Sequence, residues 1–443
     1  KIQSKDENAL VPFSQFYDTV HTFLESPIRR VIDRCQNAAD KHDGLEQRDV
    51  SVLKLLYLIR YIDDFKANID NIAILMIDDI RTDKITLRRE VAESLERLER
   101  QNYVARNVGE YSFLTDEEQD IAIDIRNTSV DSATIVQSIG LTIFNDIYPS
   151  KKFKYNKTYD FAYDQYIDET LIGAATGDVR LRFVTVVSDY YGAPDAKLIM
   201  DSQVNHEAIV LLSNDTQYFE ELETAAKIRK YIKQKNVSQL SESIQDIIRK
   251  RQSQALALEG SAKTQIEKAI VGGTFYIGGE KVELKYGAVK EKLDEALKQL
   301  VDSVYTKLNL INTFCMSDAD VLTILNSEPQ LGGLAGMGSN NEYALNEISQ
   351  WLEERHMSHV PVSMGDLQRR YQAIPYGWKE IDIAALVARL IVAQKIEIRY
   401  GGTVIGKDDK NLVRYLRIRS EIDKESVSRR IAPSEADMKN TVK

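Results

Sequence analysis

A chain of 443 residues, 43% hydrophobic and 28% charged, has room for about three domains at roughly 150 residues each and the balance of a soluble globular protein rather than a disordered one. Its net charge of −10 excludes a uniformly basic nucleic-acid binder but not local basic islands. Two cysteines, Cys35 and Cys315, cannot build a disulfide framework or a zinc spacing, and no apolar run approaches the ~20 residues of a membrane span, so a cytoplasmic protein is expected. The polar start KIQSKDENAL has no signal core, and a first residue of Lys1 rather than Met reads as a piece of a longer protein.

Residues 1–45 read as a helical lead-in, with Phe13, Phe16, Val20, Phe23 and Leu24 at helical spacing and Pro27 opening the next helix. Residues 46–126 read as a winged helix-turn-helix. Val52, Leu55, Leu56, Ile59 and Ile62 form the stripe of a buried first helix, and NIDNIAILMIDDI is a short second one. Leu87, Val91, Leu95 and Leu98 mark the third, and Tyr103-Val104 and Tyr111–Phe113 flank a turn at Gly109 that makes the wing.

Residues 127–215 turn β-rich at RLRFVTVVSD and EAIVLLSND, which predicts a small α/β subdomain. Residues 216–325 read as a long helical section interrupted by a short hairpin near 274–284, around Gly278-Gly279. A Gly-rich linker is expected at 326–341, a second winged-helix-like module at 342–419 and a polar tail at 420–443. The fold class is therefore α+β and predominantly helical.

Candidate chemistry is sparse. Asp78-Asp79 after an apolar run looks like the magnesium strand of an ATPase, but such a site needs a GxxxxGK[ST] loop, and Gly406-Lys407 is followed by Asp408. The core-helix reading of that run is preferred. Gly332, Gly333, Gly336 and Gly338 follow no strand and carry no lysine, so a linker fits better than a phosphate cradle. His356 and His359 lack a matching second motif for a metal, and no nucleophile–base pair can be nominated, so no catalytic or metal site is expected within this chain.

Basic islands are the better candidates. Along residues 87–101, four arginines (88, 89, 97, 100) meet four glutamates (90, 93, 96, 99), a neutral helix that favours protein contact over a phosphate backbone. In residues 369–399 six basic side chains (Arg369, Arg370, Lys379, Arg389, Lys395 and Arg399) against three acidic ones leave +3. Lys151, Lys152 and Lys154, with Lys157, interleave with Phe153 and Tyr155, and Lys227 and Lys230 lie on a basic helix surface. These islands are the expected nucleic-acid contacts.

The stretch LLYLIRYIDDFKANIDNIAILMIDDIRTDKITLRREVAESLERLERQNYVARNVGEYSFLTDEEQDI resembles the segment after the ATPase domain in the P-loop proteins of BREX bacteriophage-exclusion systems, the BrxC family. IPYGWKEIDIAALVARLIVAQKIEIRYGG is similar to a later region of that family, and the likeness extends from about residue 46 to about 420. The resemblance implies an AAA-type ATPase upstream, using ATP and magnesium there and no cofactor here, and other BREX components as partners, with double-stranded DNA and self-association as further contacts and no membrane. No nucleotide-binding residue carries over, since the phosphate loop is missing. The expected role is the non-catalytic, DNA- and partner-engaging region of the defence ATPase. The alternatives are a purely structural scaffold using its winged helices for protein contacts, and an ATPase with an unrecognised site at Asp78-Asp79.

Overall fold

The computed structural model describes residues 7–23, 26–60, 62, 64–107, 109–285, 287–327 and 341–430. Leu24, the glycines 332, 333, 336 and 338, and residues 431–443 of the expected tail lie outside them. The chain forms two compact units, residues 1–147 with 213–272, and residues 148–212 with 273–443.

The first unit starts with a short helix α1 (Tyr17–Val20) and α2 (Ser26–Asp40). The lead-in stripe is less buried than its spacing suggests: Phe16 and Phe23 are exposed because the helical turns there are too short to build one face. Then come α3 (Gln47–Ile59), α4 (Ile69–Leu75), α5 (Lys84–Arg100) and the wing, β1 (Val104–Asn107) with β2 (Glu110–Phe113). Local signals fix the helix starts. The Asn68 side chain accepts from the Asn71 amide at 2.9 Å, and Asp83 accepts from the amides of Ile85 and Thr86.

The expected stripes on α3 and α5 are buried in one core, except Ile62, which lies past the end of α3 and is half exposed. Asp49 on α3 is wholly buried. It receives two hydrogen bonds from Arg97 of α5, each 2.8 Å, which ties the first helix to the third. After the wing come α6 (Asp116–Asn127), begun by the Thr115–Glu118 capping box, and α7 (Ser132–Leu141).

The chain then enters the second unit: β3 (Lys152–Lys154), β4 (Asp160–Ile167), β5 (Thr170–Leu171), β6 (Val179–Val184), α8 (Asp195–Val204) and β7 (Glu207–Leu211). It returns to the first unit as an antiparallel pair of long helices, α9 (Gln217–Gln234) and α10 (Glu242–Val271), with α6 packed on them through Ile121 and Ile125. Back in the second unit, β8 (Thr274–Ile277) and β9 (Glu280–Val282) are the hairpin expected as an interruption of a helical section. They instead complete a sheet of order β3-β4-β6-β7-β8-β9, with β5 beside β4. The β4/β6 and β6/β7 pairs are parallel, the second joined by a crossover through α8, and β8 pairs antiparallel with β7. The buried Arg182–Glu207 ion pair, 2.9 Å, links neighbouring parallel strands.

Helix α11 (Val289–Val304) covers this sheet with Leu293, Leu297 and Leu300. The second winged helix follows: α12 (Asp318–Leu325), α13 (Glu342–Met357), α14 (Met364–Gln372), α15 (Glu380–Val392), β10 (Ile396–Tyr400), β11 (Thr403–Ile405), α16 (Leu412–Arg417) and β12 (Glu425–Arg429). Gly401 and Gly402 both take positive φ in the two-residue β10–β11 turn. Residues 420–430 correct the expectation of a polar tail. Strand β12 pairs along the whole of β10 in a sheet of order β11-β10-β12. ESVSR has no apolar alternation to announce a strand, and its partner lies thirty residues earlier at Ile396 to Tyr400.

Glu425 is the unusual member of that strand. It is 2% exposed, and neither carboxyl oxygen has a hydrogen-bond partner among the described residues. Burial, and then the charges of Glu421 and Asp423, push its carboxyl up to about 8.

Two outcomes are expected. Asp49→Ala should cost the first unit about 2 kcal/mol, below the usual figure for a broken buried pair because Arg97 keeps water and Glu46 as partners; urea denaturation reads this. The raised Glu425 carboxyl binds its proton more tightly folded than unfolded, so its stabilisation is complete below the unfolded value near 4.3 and is lost as pH rises to about 8. The melting temperature should fall across that window, and Glu425→Gln should flatten this part of the profile.

Candidate functional site

Strand β3 is an edge strand, and its alternation sends Phe153 inward and Lys152 and Lys154 outward. Asp160 is the local counter-charge: Lys152 lies 3.3 Å from it and Lys379 3.6 Å. Partial burial pushes the Asp160 carboxyl up, but the two ammonium groups outweigh this and hold it below its ordinary value. Lys151, Lys154 and Lys157 are exposed and form no ion pair among the described residues. The fold therefore brings Lys152, Lys154 and Lys379 together around Asp160, a grouping that sequence distance conceals.

The other arginines of the +3 segment are largely spoken for. Arg369 is paired with Asp366 at 2.7 Å and Asp423 at 3.0 Å, and Arg399 with Glu397 at 2.8 Å. The Arg370 guanidinium sits over the rings of Trp351, Tyr371 and Tyr376, 5.0 to 5.6 Å from their centroids, as part of the packing of α13 against α14. Arg389 is half-buried on α15, where only Glu380, Ile381 and Arg389 escape full burial. Helices α12, α13, α14 and α16 all pack on α15. The third helix of a winged helix is the one that enters a major groove in a DNA reader, and here it is covered. Lys395 remains exposed at the start of β10.

In the first unit, Lys227 is paired with Glu223 at 2.8 Å, and Lys230 donates to the carbonyl of Ser129 at 2.7 Å. The neutral helix α5 resolves in the same way. Arg88 pairs with Asp70, Arg89 with Glu93 at 4.0 Å and Arg97 with Asp49, while Arg48 from α3 takes Glu90. What α5 and α4 leave open is apolar. Ile85 is 82% exposed and Ile74 59%, and with Ile77 and Leu87 they line a cleft of about 240 Å³. Sequence reasoning passed over Ile85. Its signal was present, since it lies on the polar side of the stripe through Leu87 and Val91, where an isoleucine has no core to fill.

The Asp78-Asp79 pair does not extend a strand. Helix α4 ends at Leu75, and the Asp79 carboxylate is engaged by Arg81, whose hydrogen bonds hold it down near 2. Among the described residues no three His, Cys, Asp or Glu side chains converge as a metal site, and His359 stands in the turn after α13 with a positive φ.

With this geometry in hand, two family models match the chain. Residues 128–300 match the BREX ATP-binding protein BrxC 4th domain with six-stranded beta sheet, and residues 307–431 match the BREX ATP-binding protein BrxC winged helix-turn-helix domain. The first begins just after α6 and takes in both the sheet and the α9–α10 excursion; the second contains α12 to β12. No solved structure matches.

Proposed function

Because the chain belongs to the BREX BrxC family, we propose that it is the partner-engaging region of a BREX defence ATP-binding protein, with its first winged helix docking another protein rather than reading bases. One observation carries this. Three of the four arginines on α5 are neutralised by the protein's own carboxylates, while Ile85 and Ile74 stand in water beside an apolar cleft. A helix that met DNA would present the opposite, open guanidinium groups and no bare isoleucine. Docking removes that apolar surface from water, which favours association by about 25 cal/mol for each Å² covered. The buried α15 supports the same use of the second winged helix, as a packing element rather than a groove reader. The partners fitting this reading are other BREX components and a second copy of the chain.

The test is co-purification of the chain with the remaining BREX components. Ile85→Asp should abolish capture while leaving the melting temperature close to wild type, because Ile85 supports no core. Undiminished capture by the variant would remove this face from the interface.

DNA contact is a second reading, supported by the unpaired Lys151, Lys154 and Lys157 on the β3 edge and its following turn. It concerns the phosphate backbone alone. In a fluorescence-anisotropy titration of duplex DNA at several salt concentrations, replacing all three lysines by Ala should reduce the log–log salt slope by about 3, near 0.9 per phosphate contact. An unchanged slope would remove the β3 lysines from any contact with DNA.

A further inference from the structure

A second cleft in the first unit has the opposite character. It measures about 230 Å³ and lies between the end of α5, strand β1 of the wing, α6, and the paired helices α9 and α10. Val104, Ile125 and Ile228 give it an apolar floor. Its charged wall is made by Arg106, Arg126, Lys227 and Arg251, against one carboxylate, Glu99.

The arginines are poorly satisfied by the protein itself. Arg251 gives Nη1 to Gln254 at 2.7 Å, while its Nη2 is buried with no hydrogen-bond partner among the described residues. Glu118, the carboxylate whose charge acts on Arg251, is held in a bidentate pair by Arg60 at 2.8 and 2.9 Å. Burial pulls the Arg251 guanidinium below its ordinary value, which shows how weakly its charge is compensated. Among the described residues Arg106 lies over the face of Tyr111 and Arg126 donates to the last carbonyls of α5, at 3.4 Å; the carboxylate whose charge both oppose is Glu99, and neither forms an ion pair with it. Burial raises the Glu99 carboxyl, so the one acidic group opposing an anion there is itself biased toward its neutral form.

We infer that this cleft binds a compact phosphate anion, with Arg251, Arg106 and Arg126 as its ligands. Guanidinium groups suit a phosphate because their forked N–H donors match its oxygens in paired, charge-assisted hydrogen bonds. The anion is compact because the charge changes sign along the surface. The adjoining groove, about 630 Å³, is lined by Glu220 and Glu221, which would repel the next phosphates of a long polyanion. A free phosphate or diphosphate fits, and so does the diphosphate end of a nucleotide. Such a ligand would bridge the wing to α10 and couple the first winged helix to the helical pair. The inference is independent of the protein-docking face and of the β3 lysines.

The experiment is a calorimetric titration of sodium pyrophosphate into the whole chain, with no DNA or partner present. One saturable site is expected, weakened about tenfold or more by Arg251→Gln and by Arg106→Gln, since each removes a charge-assisted contact, and tightened by Glu99→Gln. Arg106 is exposed on the wing, so its variant keeps the test decisive even where Arg251→Gln fails to fold. Absence of saturable binding, or binding that Arg106→Gln and Glu99→Gln both leave unchanged, overturns the site. Displacement of pyrophosphate by ADP would assign the diphosphate to a nucleotide, and displacement by inorganic phosphate alone to the free ion. Displacement by duplex DNA would overturn the compact-anion assignment.

Discussion

Strand β7 obtains its next neighbour, β8, only after residues 213–272 have left the sheet and returned. That one pairing organises the molecule. A parallel run β4-β6-β7 ends in an open edge, and an open edge must be paired or covered. Here the antiparallel β8–β9 hairpin covers it. The intervening chain is thereby made a loop with fixed ends, and it spends its length as α9 and α10, which pack on α6 through Ile121, Ile125, Ile228 and Leu258. The winged helix at residues 47–113 and the sheet at 152–282 each fold around their own core, and of the two it is the sheet that contains chain from both sides of the excursion.

Charge is used inward more than outward. The chain is acidic overall, and its arginines mostly meet carboxylates of their own unit: Arg97 with Asp49, Arg60 with Glu118, Arg182 with Glu207, Arg369 with Asp366 and Asp423. Pairs this close fix the geometry of neighbouring elements, and a guanidinium already held bidentately has little left to offer a phosphate. Lys151 and Lys154 at the β3 edge and the arginines around Arg251 escape this pattern among the described residues. They differ in kind: the first are solvated points on an edge strand, and the second line a cleft with an apolar floor.

Each winged helix is held together here by the packing of its inner stripe. In one module the third helix offers bare isoleucine at its first turn, and in the other it is buried against four helices. The same three helices and hairpin serve both, because the fold needs only its inner stripe. The outer face is open to whatever the rest of the chain, or another chain, lays upon it.

Periodicity and turn chemistry were legible in the sequence because they act over a few residues. The stripe Leu87, Val91, Leu95 and Leu98 and the wing turn at Gly109 announce elements that form where expected. The resemblance to the BrxC family was legible for the same reason, carried by long runs of such local pattern and then supported by both family models. Which charges are open, which hairpin joins which sheet, and which helix face is covered were decided by the tertiary structure. Arg370 and Lys154 look alike in the sequence as members of basic islands, but one is packed among three rings and the other stands in water. Strand β12 was hidden because ESVSR has little apolar pattern of its own and is a strand only by pairing with β10. The sequence by itself determined the elements and the family. Long-range pairing and burial determined the surfaces, since exposure is a property of what lies opposite a residue and no local spacing encodes that.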